Sequence, residues 1–260
     1  MASMKVSRGG AVGRVVLSNP DKLNAMTVQM WDALPGCIAG LDADPQVRVI
    51  VLSGDGDRAF VSGADISQFE SERSDALAQQ RYVLAVDAAY HAPARASKPV
   101  IAQIRGICFG GGLGLAAGCD IRICADDARF RMPAGRLGLG YDQAGLRRFV
   151  DLIGVQNTYD IFYSARVFDA AEALRMGFVS RVVPAARLGE AVGELTDAIA
   201  DNAPLTLAAV KRTVHGFLQH PGERQSAEAQ TVIDAANASA DYAEGVRAFV
   251  EKRNPRFVGR

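Results

Sequence analysis

The sequence predicts a mixed α/β core followed by an all-helical region, and three observations carry that prediction. Short apolar runs of strand character alternate with helical patterns as far as Pro184. From about Leu188 onward the strand patterns stop and amphipathic helices follow. Between the ends stands the stretch KPVIAQIRGICFGGGLGLAAGCD, residues 98–120, in which an apolar run opened by Pro99 meets a triple glycine and continues as small residues at helical spacing. Residues 1–187 are accordingly read as the core and residues 188–260 as a helical C-terminal region.

Taken in order, VGRVVLS (12–18) reads as a strand, and NPDKLNAMT supplies a turn and a helix cap at Thr27, with Met30, Leu34 and Ile38 on one face of the helix. Asp44-Pro45 closes that helix. VRVIVLS (47–53) alternates only weakly and reads as a strand buried on both faces, with GDGDR as its exposed turn. AFVSGADISQF (59–69) resembles a short strand running through Ser62-Gly63 into a helical turn near Ala64. Residues 73–96 read as a helix rich in Ala and Arg. The stretch at 98–120 is a strand, a tight turn and a helix start, and DIRICADDARF is a further strand with charged ends. MPAGRLGLGYDQAG (132–145) is a loop with four glycines, of a length that in compact domains is usually functional. Leu146 to Val150, Gln156 to Ser164 and the run from Ala170 are helical, the last with Gly177 as C-cap before the strand FVSRVV. LGEAVGELTDAIADN, PLTLAAVKRTVHGFL, a polar helix from Gly222 to Ala240, and the terminal DYAEGVRAFVEKRNPRFVGR complete the chain. In that last segment Val246, Phe249 and Val250 form an apolar stripe beside Arg247, Lys252 and Arg253; a solvated terminal helix is the plainer reading.

Gly110 to Gly112 are the residues with the most specific meaning. A helix N-terminus leaves its first N–H groups without intrahelical partners and carries roughly +0.5 charge, and glycines let an atom approach that backbone closely. Neither G-x-G-x-x-G spacing nor a Gly-Lys-Ser/Thr ending is met, so the glycines read as a site for an oxygen gaining negative charge rather than a phosphate cradle. Gly114 and Gly118 fall at i+4 and i+8 from Gly110 and are as well explained by close packing. The backbone at Ser62 to Ala64 offers a second N–H site.

The composition excludes other classes. Acidic and basic residues balance at 29 each, so no global field draws nucleic acid or an anionic membrane surface. MASMKVSRGG has no apolar signal core, and the uncharged stretch Ile107 to Cys119 is too short to span a bilayer. Cys37, Cys108, Cys119 and Cys124 form no CxxC pair and read as buried free thiols of a reducing compartment, which gives the expectation of a cytoplasmic protein with no metal centre. Asp120 reads as a cap or pin for the central helix. His91, His215 and His220 lie outside every motif.

NPDKLNAMT, AFVSGADI, KPVIAQIRGICFGGGLGLAAGCDIRI, AAEALRMGFVSRVV and the terminal EGVRAFVEKR, in that order, resemble the crotonase superfamily, the enoyl-CoA hydratase/isomerase family. The resemblance implies a spiral core of ββα repeats, a C-terminal helical region used in trimerisation, a homotrimer or a hexamer built as a dimer of trimers, and an acyl-CoA substrate with no cofactor besides the CoA that the substrate carries. It implies an oxyanion hole made by the backbone N–H groups of Ala64 and Gly111. It places Asp65 and Ile66 along the CoA, Lys22 and Leu23 near its adenine end, and Phe249 and Lys252 over CoA in the same or a neighbouring subunit. An RNA-binding role is not expected, since residues 73–96 carry only Arg73, Arg81 and Arg95 as basic residues.

Hydratases of this family use two glutamates, and the matching positions here are Gly114 and Ala134, neither of which can transfer a proton. The loop LGLGYD and the tail are similar to methylmalonyl-CoA decarboxylases of the superfamily, which have a tyrosine in the loop. This implies decarboxylation of a methylmalonyl-CoA-like substrate with Tyr141 at the site. Hydration or isomerisation using Asp142 as a non-standard base, or a catalytically silent acyl-CoA-binding protein, are the alternatives. Tyr141 also reads as a buried loop aromatic, and Asp142 as a turn residue.

Overall fold

The computed structural model describes residues 2–65, 76–219 and 227–260. Strands β1 (Ser3–Gly9), β2 (Val12–Ser18), β3 (Val49–Gly54), β5 (Val100–Ile104), β7 (Ile121–Ala125) and β10 (Arg181–Val183) lie side by side in that order in one sheet; β4 (Ala59–Val61), β6 (Ile107–Phe109), β8 (Arg129–Arg131) and β9 (Val167–Asp169) form a second. Both sheets are parallel except at one rim, where β1 runs antiparallel to β2 and β9 antiparallel to β8. The helices are α1 (Val28–Ala43), α2 (Ala76–Arg95), α3 (Gly111–Gly118), α4 (Gln143–Ser164), α5 (Ala170–Met176), α6 (Leu188–Ala200), α7 (Pro204–Gln219), α8 (Ala227–Asn237) and α9 (Ala240–Glu251). The chain passes from a strand of the first sheet to one of the second and then to a helix, as β3-β4-α2, β5-β6-α3 and β7-β8-α4, which is the ββα spiral that the resemblance implies.

That spiral corrects two single strands of the sequence reading. The run from Val100 to Phe109 is divided at Arg105-Gly106, where Gly106 has φ +61 and a Cβ would overlap the Arg58 carbonyl oxygen. The run from Ile121 to Arg131 is divided in the same way at Asp126 to Ala128. Hydrophobicity alone does not show a bend inside an apolar run, because both halves are buried.

Every residue of β3 from Val49 to Leu52 is buried, as its weak alternation predicts. Ile50 and Leu52 face the main core with Trp31, Leu34 and Phe60, whereas Val49 and Val51 face Val12, Ile101, Ile123 and the α6 residues Leu188 and Val192. Helix α6 therefore covers the outer face of the first sheet. Thr27 caps α1 by accepting the Met30 N–H at 3.2 Å, and Asp169 and Glu172 close a capping box on α5, with Gly177 left-handed at its end. Gly154, at φ 76, breaks α4 where the sequence shows two helical stretches. Strands β1 and β9 carry no sequence signal: β1 is a largely exposed, polar edge strand and β9 has only Phe168 buried. In the stretch read as one helix from Gly222 to Ala240, the described part is α8, and Ser239 caps a new helix, α9.

Candidate active site

Because β4 and β6 are parallel neighbours, with Val61 opposite Cys108, the segments leaving their C-terminal ends emerge side by side. The Gly63 Cα lies 4.0 Å from the place a Cβ on Gly110 would occupy. Gly110 has φ 51 and ψ −112, a conformation open only to glycine, and it turns the chain straight from β6 into α3. Around these turns the polar backbone is tied down: Gly110 N–H donates to Arg131 O at 2.9 Å, Met26 N–H to Gly63 O at 2.8 Å, and Asp65 N–H to Met26 O at 2.9 Å. Among the described residues, the N–H groups of Ala64 and Gly111 have no acceptor. Among the described residues, Gly63 N–H beside Ala64, and Gly112 and Leu113 N–H beside Gly111, are likewise without an acceptor, so two adjacent turns leave free donors side by side, the second at the start of a helix.

The far end of α3 is fixed by a buried arginine. Arg122 donates to Cys119 O at 2.6 Å, Ala116 O at 3.3 Å and Phe178 O at 2.5 Å, and so satisfies carbonyls at the negative end of the helix. Burial lowers its pKa. Asp120 does not cap α3: its carboxylate accepts the Val100 N–H at 2.7 Å and pairs with the Lys211 ammonium at 2.8 Å, tying β5 to α7. Cys108, Cys119 and Cys124 are buried free thiols as the sequence reading has them, and burial pushes those of Cys119 and Cys124 up to about 12, whereas Cys37 on α1 is free but only half-buried.

The glycines divide by what a side chain would meet. A Cβ on Gly112 would overlap the Val61 carbonyl oxygen and one on Gly118 the Tyr90 carbonyl oxygen, so both are demanded by packing. At Gly114 the space is taken by the Tyr90 ring, 2.6 Å from the Cβ position. At Gly111 the Cβ position is 3.0 Å from Trp31 Cζ2 and 3.5 Å from the Tyr90 hydroxyl. Trp31 and Tyr90 meet edge to face, with centroids 5.6 Å apart. Both residues face the Gly111 turn and neither is evident from the sequence, where each is one more apolar position on an amphipathic helix.

Tyr141 lies against Gly145, whose Cβ position is 2.5 Å from its ring, and edge-on to Phe162 and Phe149 at 5.0 and 6.3 Å between centroids. Its hydroxyl is buried, and burial, helped by the charge of Asp142, pushes its pKa up to about 12. The Tyr90 hydroxyl is within electrostatic range, but no group meets the Tyr141 oxygen in hydrogen-bond geometry. Asp142 is the N-cap of α4 and accepts the Gly145 N–H at 2.6 Å. Ala134 is buried in a short 3-10 turn, Ala134–Leu137.

The remaining expected contacts fall in two places. Lys22 donates to both carboxylate oxygens of the buried Asp65, at 2.8 and 3.1 Å, and Ser62 N–H donates to Leu23 O at 3.1 Å, so the loop bearing Lys22 and Leu23 is joined to the Ala64 turn. Leu23 and Asn24 are both left-handed, at φ 52 and 57, and are held there by the buried Asn24 side chain, which donates to Ala59 O at 2.8 Å and accepts from Asn19 N. Ile66 lies outside the described residues. Phe249 is 86% exposed near the end of α9, and Lys252 caps that helix in a left-handed conformation. Among the described residues, no group of three or more His, Cys, Asp or Glu side chains could hold a metal ion, and no helix is long and apolar enough to cross a membrane.

Fold and turns together define an α/β spiral with a backbone-donor cradle at the C-terminal ends of the paired strands β4 and β6. The family model for enoyl-CoA hydratase/isomerase matches residues 7–260. The chain is 31% identical to the carnitinyl-CoA dehydratase of Salmonella typhimurium, covering 99% of both chains, and 29% identical to the short-chain-enoyl-CoA hydratase of Clostridium acetobutylicum, covering 95% of this chain and 94% of the other. The crystal structure of an enoyl-CoA hydratase/carnithine racemase from Magnetospirillum magneticum superposes with a TM-score of 0.93 at 32% identity, covering 100% of this chain and 97% of that one. The protein belongs to the enoyl-CoA hydratase/isomerase family, within the crotonase superfamily.

Proposed function

We propose that the protein forms an enolate from an acyl-CoA thioester and does so by releasing CO2 from a methylmalonyl-CoA-like substrate. The observation that carries this reading is the pairing of two unfilled N–H donors, Ala64 and Gly111, with an adjoining wall in which Tyr90 occupies the space beside Gly114 and Ala134 is buried. Donors fixed before reaction stabilise charge as it develops on the thioester oxygen, and one such donor is worth about 3 to 4 kcal/mol in comparable holes. Water addition needs general acid–base groups worth about 100- to 10,000-fold each, and neither Gly114 nor Ala134 supplies one. In decarboxylation the bond from Cα to the carboxylate breaks, its electron pair enters the enolate, CO2 leaves, and Cα then takes a proton from water to give the shortened acyl-CoA. The step needs no base. In this reading the Tyr141 hydroxyl, which is neutral at ordinary pH and is kept protonated further by its raised pKa, donates a hydrogen bond to the reacting acyl group.

Asp65 would then lie along the CoA and Lys22 near its adenine end, with Phe249 and Lys252 reaching CoA in the same or a neighbouring subunit of a trimer or hexamer. The names of the hydratase and dehydratase relatives favour a second reading, hydration or isomerisation with Asp142 or a bound water as base. The Asp142 carboxylate is engaged at the start of α4, which weighs against it. Methylmalonyl-CoA and crotonyl-CoA assayed side by side, for wild type, Tyr141→Phe and Asp142→Asn, separate the two. CO2 release that falls in Tyr141→Phe is the expected result. Brisk hydration of crotonyl-CoA without CO2 release refutes decarboxylation, and thermal stabilisation by acetyl-CoA without turnover of either substrate identifies a silent acyl-CoA-binding protein.

A further inference from the structure

Two buried polar atoms near the Gly111 turn have no partner in full hydrogen-bond geometry: the Trp31 indole Nε1, and the Tyr141 hydroxyl, which has the Tyr90 hydroxyl as a polar neighbour. Folded proteins pair nearly all such atoms, so each points to something that completes it. The Trp31 ring edge bearing Cζ2 is 3.0 Å, and the Tyr90 hydroxyl 3.5 Å, from the Cβ position on Gly111, whose own N–H is also without an acceptor among the described residues. An indole N–H can only donate, and a neutral tyrosine hydroxyl is a ready donor. The missing partner is therefore rich in acceptor oxygens and has more of them than one thioester carbonyl, which the Ala64 and Gly111 N–H groups already occupy in the reading above.

We propose that Trp31 and Tyr90, with Tyr141 beside them, form a subsite of neutral donors that selects acyl-CoA thioesters bearing a carboxylate on the carbon next to the carbonyl. The proposal rests on the oxyanion reading of Ala64 and Gly111 and names the specificity residues of the same site. In such a substrate the carboxylate is borne on the carbon next to the thioester carbonyl, and Trp31 and Tyr90 both stand beside the Gly111 turn that would hold that carbonyl oxygen. Neutral donors orient the carboxylate without an ion pair that would hold its charge in place. The aromatic walls also favour the uncharged product CO2 over the buried anion.

The test is the affinity of sulfoacetyl-CoA, whose sulfonate cannot leave as CO2, against that of acetyl-CoA, by isothermal titration calorimetry on wild type, Trp31→Phe and Tyr90→Phe. Wild type is expected to prefer the sulfonate by about tenfold or more, and each variant to lose most of that preference while its affinity for acetyl-CoA changes little. Equal affinities in wild type, or a preference that survives both substitutions, overturns the proposal. Tyr90→Phe removes one oxygen atom and keeps the test decisive if Trp31→Phe fails to fold. A preference lost in the variants, with no CO2 released from methylmalonyl-CoA by wild type, supports the subsite and refutes decarboxylation. CO2 release without any sulfonate preference does the reverse.

Discussion

Gly111 and Gly112 are neighbours with different tolerances. A methyl group on Gly111 would press on the Trp31 side chain, which can shift by tenths of an ångström, whereas one on Gly112 would overlap the Val61 backbone, which cannot. Gly111→Ala is expected to fold with a slightly lowered Tm and, by displacing the turn and its N–H, to lose about 100-fold in kcat/KM with whichever substrate turns over; full activity would mean that the reacting group does not depend on the geometry of the Gly111 turn. Gly112→Ala is expected to lose about 3 kcal/mol or more of stability, read from urea unfolding. Tyr141 makes a prediction in pH. Its folded pKa is raised from 10.0 to about 12, so folding holds the proton more tightly than the unfolded chain does. Its contribution to stability is complete below pH 10 and is lost as pH rises toward 12, so Tyr141→Phe is expected to reduce the alkaline loss of Tm in that window. The pH–rate profile of wild type is expected to show no tyrosine limb below pH 10.

At the scale of single elements, α9 and the C-terminal tail form a closed unit. The buried Asp241 carboxylate accepts the Val258 and Gly259 N–H groups at 2.7 and 2.8 Å, and Asp241 N–H donates to Arg260 O. Glu244 pairs with Arg253 at 2.7 Å and accepts the Arg256 N–H, which pulls its pKa down to about 2. Asp241→Ala is expected to free the tail while α9 stays folded, seen as faster hydrogen exchange at Val258 and Gly259 and faster tryptic cleavage after Arg256; unchanged exchange would show that the packing of Phe257 on Gly245 suffices. None of this closure is visible in the sequence, where residues 241–260 show only an apolar stripe beside basic residues. The helices with caps are legible by contrast: Thr27 and Gly177 sit where the sequence puts them, because a cap depends on a few neighbouring residues.

Across the whole molecule, Tyr242, Val246, Phe249 and Val250 leave one face of α9 apolar and exposed, at 58, 52, 86 and 75% of their accessible surface. A face of that kind is expected to be covered by another copy of the chain. Deleting residues 241–260 is therefore expected to reduce the mass in solution measured by light scattering, and to weaken CoA binding through the loss of Phe249 and Lys252. A truncated protein of unchanged mass and unchanged CoA affinity would refute both parts.

The sequence by itself determined what depends on short stretches of chain: most of the core strands and helices and their order, the turn at Gly110 to Gly112, the burial of Cys108, Cys119 and Cys124, and the absence of a carboxylate at Gly114 and Ala134. The motifs also sufficed for the family, since the resemblance rests on residues read in order along the chain. Only the tertiary structure decided which of those glycines serve packing and which leave a donor free, because that depends on Val61 and Tyr90 arriving from other turns of the spiral. The same holds for Trp31 and Tyr90. Each is a buried apolar position at helical spacing in the sequence, and each becomes a candidate site residue only when parallel pairing of β4 with β6 sets α1, α2 and α3 around one turn. Long-range packing gives these side chains their neighbours, and no periodicity along the chain records it.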